Sequence, residues 1–239
     1  MDKSQKFTGG SEISNQFFFN MFRLAWIIIC IACCFVHQGE AQTKRFGTGI
    51  FAGIGLAQID GDDMQGYDKP GIHFGLRGIA YILPKFEFHT ELSYSQRGSQ
   101  SKGYKATNNQ GRRLELDYGS ITALAVANDW FHPLKEYFRL QFYGGVSLGR
   151  LIRIQAIDPS ISDNRRTNFN ELIPYYNTTD FSMVIGANIK TTRFSGLTFR
   201  YNRSMNKIID AELVQPFFQK RSILSMKGYY ISLGAFYLF

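Results

Sequence analysis

Lys227-Gly-Tyr-Tyr-Ile-Ser-Leu-Gly-Ala-Phe-Tyr-Leu-Phe239 is the stretch on which the fold turns. Counting back from Phe239, every second residue is bulky or apolar: Tyr237, Ala235, Leu233, Ile231 and Tyr229. A period of two is a strand with two unlike faces. The strand ends on Phe239, with no polar tail. A closed barrel gives one reason for this, because its last strand must pair with its first.

The same alternation recurs along the chain. Strands are predicted over 47–59, 71–83, 86–96, 113–129, 137–155, 178–190, 195–204 and 227–239. In the second, Ile72, Phe74, Leu76, Ala80 and Ile82 oppose His73, Gly75, Arg77 and Tyr81. In the fourth, Leu114, Leu116, Tyr118, Leu124 and Val126 oppose Glu115 and Asp117, which places the two acids on the lumen side. In the fifth, Phe138, Leu140 and Phe142 oppose Arg139, Gln141 and Tyr143. Connections alternate between long and short. All six prolines fall in predicted connections, since a proline has no N–H to give a ladder.

These features predict an all-β fold: an eight-stranded antiparallel up-and-down transmembrane β-barrel. Such barrels have an even strand count, short periplasmic turns and longer outer loops. The slightly negative mean hydropathy is compatible with this, because alternating strands average out. A secreted soluble β-barrel that binds a small apolar ligand would share the alternation. The loop rhythm and the terminal aromatic favour the membrane barrel. Aromatics near strand ends (Phe86, Tyr94, Tyr137, Phe138, Phe181, Tyr201, Tyr229, Tyr237 and Phe239) suit interfacial girdles. The expected location is the bacterial outer membrane, integral and multi-pass. The expected surroundings are outer-membrane lipid and lipopolysaccharide.

The N-terminal region reads differently. Residues 25–36 are continuously apolar, shorter than the roughly 17–25 residues of a membrane-spanning helix. Arg23 precedes them and Gly39-Glu40-Ala41 follows, with small residues at the cleavage positions. This predicts a signal peptide over 1–41, cleaved after Ala41, and a barrel domain over 42–239. Translation from Met21 rather than Met1 would give a leader of more usual length. Cys30, Cys33 and Cys34 all lie in the apolar run, so the mature chain carries no disulfide framework.

The net charge of +8 is spread along the chain without a basic stripe, which argues against nucleic acid as a partner. No metal-ligand spacing, cofactor fingerprint or phosphate loop is present. The predicted lumen network is Arg77, Glu87, His89, Glu91, Glu115, Asp117, Arg139 and Arg200, filling an interior just wide enough for side chains. His73, His89, Ser93 and Ser95 raise the alternative of an outer-membrane lipid-modifying enzyme. Same-face neighbours along a strand stand about 6.6 Å apart, too far for direct nucleophile–base contact, so no catalytic residue is assigned. The segment 205–226 is unusually apolar for a connection. Ile208, Ile209, Leu213, Phe217 and Phe218 are candidates for a partner-contacting loop, or else pack on the barrel's own rim.

Several stretches, in order, resemble a known family. They are Gly71-Ile-His-Phe-Gly-Leu, Glu91-Leu-Ser-Tyr-Ser-Gln-Arg-Gly, Leu116-Asp-Tyr, Phe142-Tyr-Gly-Gly-Val-Ser-Leu-Gly and Leu197-Thr-Phe-Arg-Tyr-Asn. Together they resemble the PorT-like family of outer-membrane β-barrel proteins. The family's usual Leu-Glu-Ile-Pro-like run after Leu116-Asp-Tyr is replaced here by Gly119-Ser-Ile-Thr. The resemblance implies a non-enzymatic accessory component of the cell envelope, linked to type IX-like protein secretion. It also implies that Phe239 and Tyr237 form an assembly signal for the machinery that inserts such barrels.

Overall fold

The computed structural model describes residues 45–62, 64, 66–104, 111–128, 139–158, 169–209 and 226–239. The predicted leader, Pro133 and the loop residues Leu213, Phe217 and Phe218 lie outside the described residues.

Eight strands run in chain order: β1 (Phe46–Asp60), β2 (Lys69–Leu83), β3 (Phe86–Gln100), β4 (Arg113–Asn128), β5 (Leu140–Ile157), β6 (Thr179–Lys190), β7 (Ser195–Ser204) and β8 (Lys227–Leu238). Each pairs antiparallel with its neighbours in sequence, and β8 returns to β1, which closes the barrel. Two short turns, 84–85 and 191–194, lie at the end where β1 begins and β8 ends. The other end carries the connections 61–68, 101–112, 158–178 and 205–226.

The closing seam runs from Gly49↔Leu238 to Asp60↔Lys227. Midway, Gly53 faces Gly234, and a Cβ on Gly234 would come within 2.5 Å of the Ala52 carbonyl. The paired glycines let two backbones meet where side chains would hold them apart. The Phe239 N–H donates to the Thr48 carbonyl at 2.8 Å, so the ladder reaches the final residue.

The two faces separate sharply. Outward positions such as Ile54, Leu76, Leu92, Ile121, Phe142, Ile185 and Leu233 are exposed. They form an apolar band around the wall, the arrangement expected where the surrounding medium is hydrocarbon. Tyr237 and Phe239 extend this band at the short-turn end, their rings 5.6 Å apart. No helix among the described residues is long and apolar enough to cross a membrane; the strands make the crossing.

Three expectations are corrected here. Pro70 lies within β2 rather than in a connection. It pairs with Leu56 of β1, while the β2–β3 ladder begins only at His73↔Ser95. Its missing N–H therefore falls where no ladder bond is needed. Arg139 lies just before β5 and is exposed, so it is not part of the lumen. It contributes its backbone carbonyl instead, which accepts from the Lys190 N–H at 2.7 Å.

The third correction is β4, whose faces are reversed relative to the sequence reading. Leu114, Leu116, Tyr118, Leu124 and Val126 point into the barrel and are buried. Glu115 and Asp117 stand on the other face, where Arg153 Nε donates to Asp117 Oδ2 at 2.8 Å. Arg113 also pairs with Glu115. The period of two holds, but the inward apolar residues have two settings: Leu114, Leu116 and Tyr118 meet the packed loops of the cap, whereas Leu124 and Val126 pack with Tyr143 and Val184 inside the barrel, nearer the short turns. The Asp117/Tyr118 register shift against β5 lies in the first of these settings.

Leu76 sits at a middle outward position of β2 and is 59% exposed. Leu76→Arg should lower unfolding stability in lipid vesicles by about 2–4 kcal/mol, the cost of an arginine near a bilayer midplane. Urea titration of tryptophan fluorescence measures it.

Candidate functional site

The interior of the barrel brings charged groups together away from water. Its centre is Glu91, on β3, which is 2% exposed. Arg77 on β2 donates from Nε to Glu91 Oε1 at 2.8 Å. Arg200 on β7 reaches across the lumen and donates from Nη2 to Glu91 Oε2 at 2.6 Å. One carboxylate thus holds two guanidinium groups, each on its own oxygen. The Phe51 ring lies 5.3 Å from the Arg77 guanidinium and 5.4 Å from that of Arg200, and the Phe236 ring lies 5.4 Å from Arg77. These aromatic faces favour cations that have lost most of their water.

A second layer lies towards the short turns. Glu87 Oε2 is 2.8 Å from His89 Nε2, and Glu87 Oε1 accepts from Asn128 Nδ2 at 2.8 Å. Gln141 Nε2 donates to Asn128 Oδ1 at 2.6 Å, and Asn188 Nδ2 donates to Gln141 Oε1 at 3.2 Å. A third layer lies towards the long loops. Arg97 on β3 donates from Nη1 to Asp180 Oδ2 on β6 at 2.6 Å, and its guanidinium lies between the rings of Tyr118 and Tyr230, at 4.8 and 4.6 Å. Ser182 also bonds to Asp180.

Above this layer the interior becomes apolar. Ile59, Leu114, Leu116, Tyr118, Phe169, Leu172, Tyr176, Ile208, Ile209 and Met226 form one buried cluster. The short helix Phe169–Leu172 and the bridge Tyr176↔Ile209 belong to this cap. Arg112 Nε donates to Asp158 Oδ2 at 3.0 Å, and its guanidinium stands 4.1 Å from the Phe169 ring. Ile208 and Ile209 are 5% and 1% exposed and belong to the cap cluster, which is the second of the two arrangements expected for them, packing on the barrel's own rim.

Of the residues expected in the lumen, Arg77, Glu87, His89, Glu91 and Arg200 come together. Glu115, Asp117 and Arg139 do not. The network also contains Gln141 and Tyr143, which the sequence reading placed on the polar face of the fifth strand, and Arg97, Asn128, Asp180 and Asn188, which it did not single out. Arg97 and Ser99 continue the inward parity of β3 beyond Ser95. Gly98, with φ of +133°, disguises that continuation as a loop.

Among the described residues, neither His73 nor His89 forms a catalytic arrangement that a substrate could reach. His73 Nδ1 is 3.5 Å from Ser232 Oγ, and its Nε2 is 3.5 Å from Arg200 Nη1. His73 is 5% exposed and Ser232 is 4% exposed, within the packed interior. No group of three or more metal-ligating side chains occurs among the described residues.

Glu91→Gln should cost about 3–5 kcal/mol of stability, because it leaves two buried guanidinium groups with only a neutral amide between them. Urea denaturation in lipid vesicles tests this, with Leu92→Val on the outer wall as the mild comparison. In the cap, burial pushes the Asp62 carboxyl up to about 6, against the opposing pull of the Ser99 side chain, the Met64 N–H and Arg112. A buried acid raised in the folded state is neutral there while its unfolded counterpart ionises. Cap stability should therefore be highest below pH about 4, fall as pH rises through about 6, and then level off. The Met64 amide resonance, whose N–H donates to Asp62 Oδ1 at 2.8 Å, should titrate with that midpoint. Asp62→Asn should abolish the titration.

Comparison with known proteins places this architecture. The profile of the family described as outer membrane protein beta-barrel domain matches residues 38–210, more than half of the chain. No curated protein matches the sequence. Among solved structures, the chain is similar to Ail, the attachment invasion locus protein of Yersinia pestis, solved in complex with the heparin analogue sucrose octasulfate. The identity is 16%, covering 82% of this chain and 99% of that one, with a TM-score of 0.44. It is similar to Neisserial surface protein A at 12% identity, over 80% and 96% of the two chains, with a TM-score of 0.41. The N-terminal β-barrel domain of Pseudomonas aeruginosa OprF matches at 10% identity, over 81% and 99%, with a TM-score of 0.36. With its closed eight-stranded wall and apolar outer band, the chain belongs to the outer membrane protein β-barrel domain family and is an integral protein of the outer membrane.

Proposed function

We propose that this barrel is a non-enzymatic accessory component of the cell envelope that acts through its loop-side surface rather than through its interior. The observation that carries this reading is the bridging of Arg77 and Arg200 by Glu91. It ties opposite walls together at mid-lumen, with polar layers below and above it and an apolar cap over the top. A filled interior supports neither diffusion through the barrel nor access of a lipid to His73 and Ser232. A lipid-modifying activity would need a serine and a base open to substrate; the arrangement here buries both.

The more specific role, as an accessory to type IX-like protein secretion, rests on the resemblance to the PorT-like family. Under this reading the contact surface includes Leu213, Phe217 and Phe218, while Ile208 and Ile209 anchor the same segment in the cap. Phe239 and Tyr237 serve as the assembly signal for the barrel-assembly machinery, and residues 1–41 serve as the secretory leader.

A tagged chain extracted from outer membranes should co-purify with other envelope proteins. Phe217→Ser with Phe218→Ser should abolish that co-purification, leave the barrel heat-modifiable on gels, and leave it without large stable conductance in planar bilayers. Unchanged co-purification overturns the contact surface, and a large stable conductance overturns the sealed interior.

A further inference from the structure

The outer wall, which the proposed function does not use, carries a feature of its own. A groove of about 520 Å³ is cut into the apolar band across β8, β1 and β2. Its walls are Ile54 and Leu56 of β1, Pro70 and Ile72 of β2, and Ile231 and Leu233 of β8. Ile54, Leu56, Ile72 and Leu233 are among the exposed large apolar residues of the wall. Gly55 and Gly71 contribute backbone to its floor. The β2–β3 ladder does not extend above His73↔Ser95, and the Ile72 N–H donates to the Gln96 side chain at 3.4 Å instead. The groove volume is within the roughly 300–1,000 Å³ usual for small-molecule sites.

The groove has a direction. Its residues lie at the ends of β1, β2 and β8 that lead to the long loops, so it belongs to the outer leaflet half of the band. One outward position above Ile231 is Tyr229, and Arg203 of β7 pairs with Tyr229 in the ladder. The Arg203 guanidinium is exposed and lies over the Tyr229 ring, 5.4 Å from its centre. Tyr229 OH donates to Asp60 Oδ2 at 2.5 Å, which fixes the ring that carries the guanidinium. Among the described residues Arg203 has no carboxylate partner, whereas Arg77, Arg97, Arg112, Arg113, Arg153 and Arg200 all have one.

An apolar slot in contact with hydrocarbon, with the exposed Arg203 guanidinium on the neighbouring strand β7 and nearer the loop end, is complementary to an anionic amphiphile. Arginine presents donors that match two phosphate oxygens at once. Each methylene removed from disorder into the slot adds its share of apolar contact. The outer leaflet of a bacterial outer membrane is built from lipopolysaccharide, whose anchor carries acyl chains and phosphates on one molecule. We propose that this wall is a specific lipopolysaccharide site: an acyl chain lies in the β8–β1–β2 groove and an anchor phosphate is held by Arg203. The inference rests on the membrane location of the barrel, not on its accessory role.

The test uses the full chain folded into phosphatidylcholine nanodiscs that contain a small fraction of lipopolysaccharide. After transfer to detergent, native mass spectrometry counts the lipopolysaccharide that stays bound. The wild-type barrel should retain it. Arg203→Gln should reduce retention at least fivefold, and Leu56→Trp, which fills the slot, should do the same. Arg150→Gln, on β5 across the barrel and also exposed, should leave retention unchanged. Arg203→Gln leaves the apolar wall intact, so it decides the matter even where Leu56→Trp folds poorly. Retention by Arg203→Gln equal to wild type overturns the proposal, as does equal loss in Arg150→Gln, which would mean general adhesion only. Equal retention of phosphatidylglycerol in place of lipopolysaccharide overturns the assignment of the occupant.

Discussion

Every peptide N–H and C=O that crosses the bilayer must find a partner within the protein, since lipid offers none. In this chain the requirement falls on the seam between β1 and β8, because a sheet with those two strands apart would present two free edges to hydrocarbon. The seam is made by twelve facing residues on each strand, tightened by the Gly53–Gly234 pair and extended to the last residue by the Phe239–Thr48 bond. Once it forms, strand number, interior width and the inward or outward sense of every side chain follow together.

Closure at eight strands leaves an interior only as wide as the side chains that fill it. Polar groups placed there lose water and must satisfy one another. Glu91 does so by taking two arginines from different strands, Arg77 beside it and Arg200 across the lumen. Glu87 and Asp180 do the same in their own layers with amides, His89 and Arg97. Such buried pairs are weak evidence of net stabilisation against an apolar core, but each partner is costly to remove alone. Their effect is to fix which strands face one another. The apolar cap then seals the loop end, and Arg112–Asp158 holds the short helix Phe169–Leu172 over it.

The membrane band and the cap use the same residue types for opposite purposes. Leu76 and Ile121 face lipid, whereas Leu114 and Leu116 face the interior beneath the cap. This is why β4 was read with its faces exchanged. Alternation defines two faces but does not name them: Leu114 and Leu116 are inward beneath the cap, and Leu124 and Val126 are inward against Tyr143 and Val184. Arg97 was hidden for a related reason. Gly98 interrupts the pattern as a loop would, yet the strand continues through it with a backbone angle that suits glycine. Arg139 lay in phase with the lumen residues but one position before the strand began. The segment around Ile208 leaves two readings open in the sequence because its apolar residues follow no strand, and only the opposing walls of Ile59, Leu116 and Tyr176 make it interior.

The sequence by itself determined the strand content, the antiparallel order and the membrane character. These depend on local alternation, on the placing of turns and on composition, all of which are legible along the chain. It also marked Arg77, Glu87, His89, Glu91 and Arg200 as inward-facing, because each alternates with apolar neighbours along its own strand. Which of them meet was decided only by the tertiary structure. The contact of Glu91 with Arg200 joins residues 109 apart in the chain, and Arg97 with Asp180 joins residues 83 apart. Such pairs depend on strand tilt and on register around a closed sheet, which no local pattern encodes. The wall groove is of the same kind: three strands contribute to it, and it exists only because β8 lies beside β1.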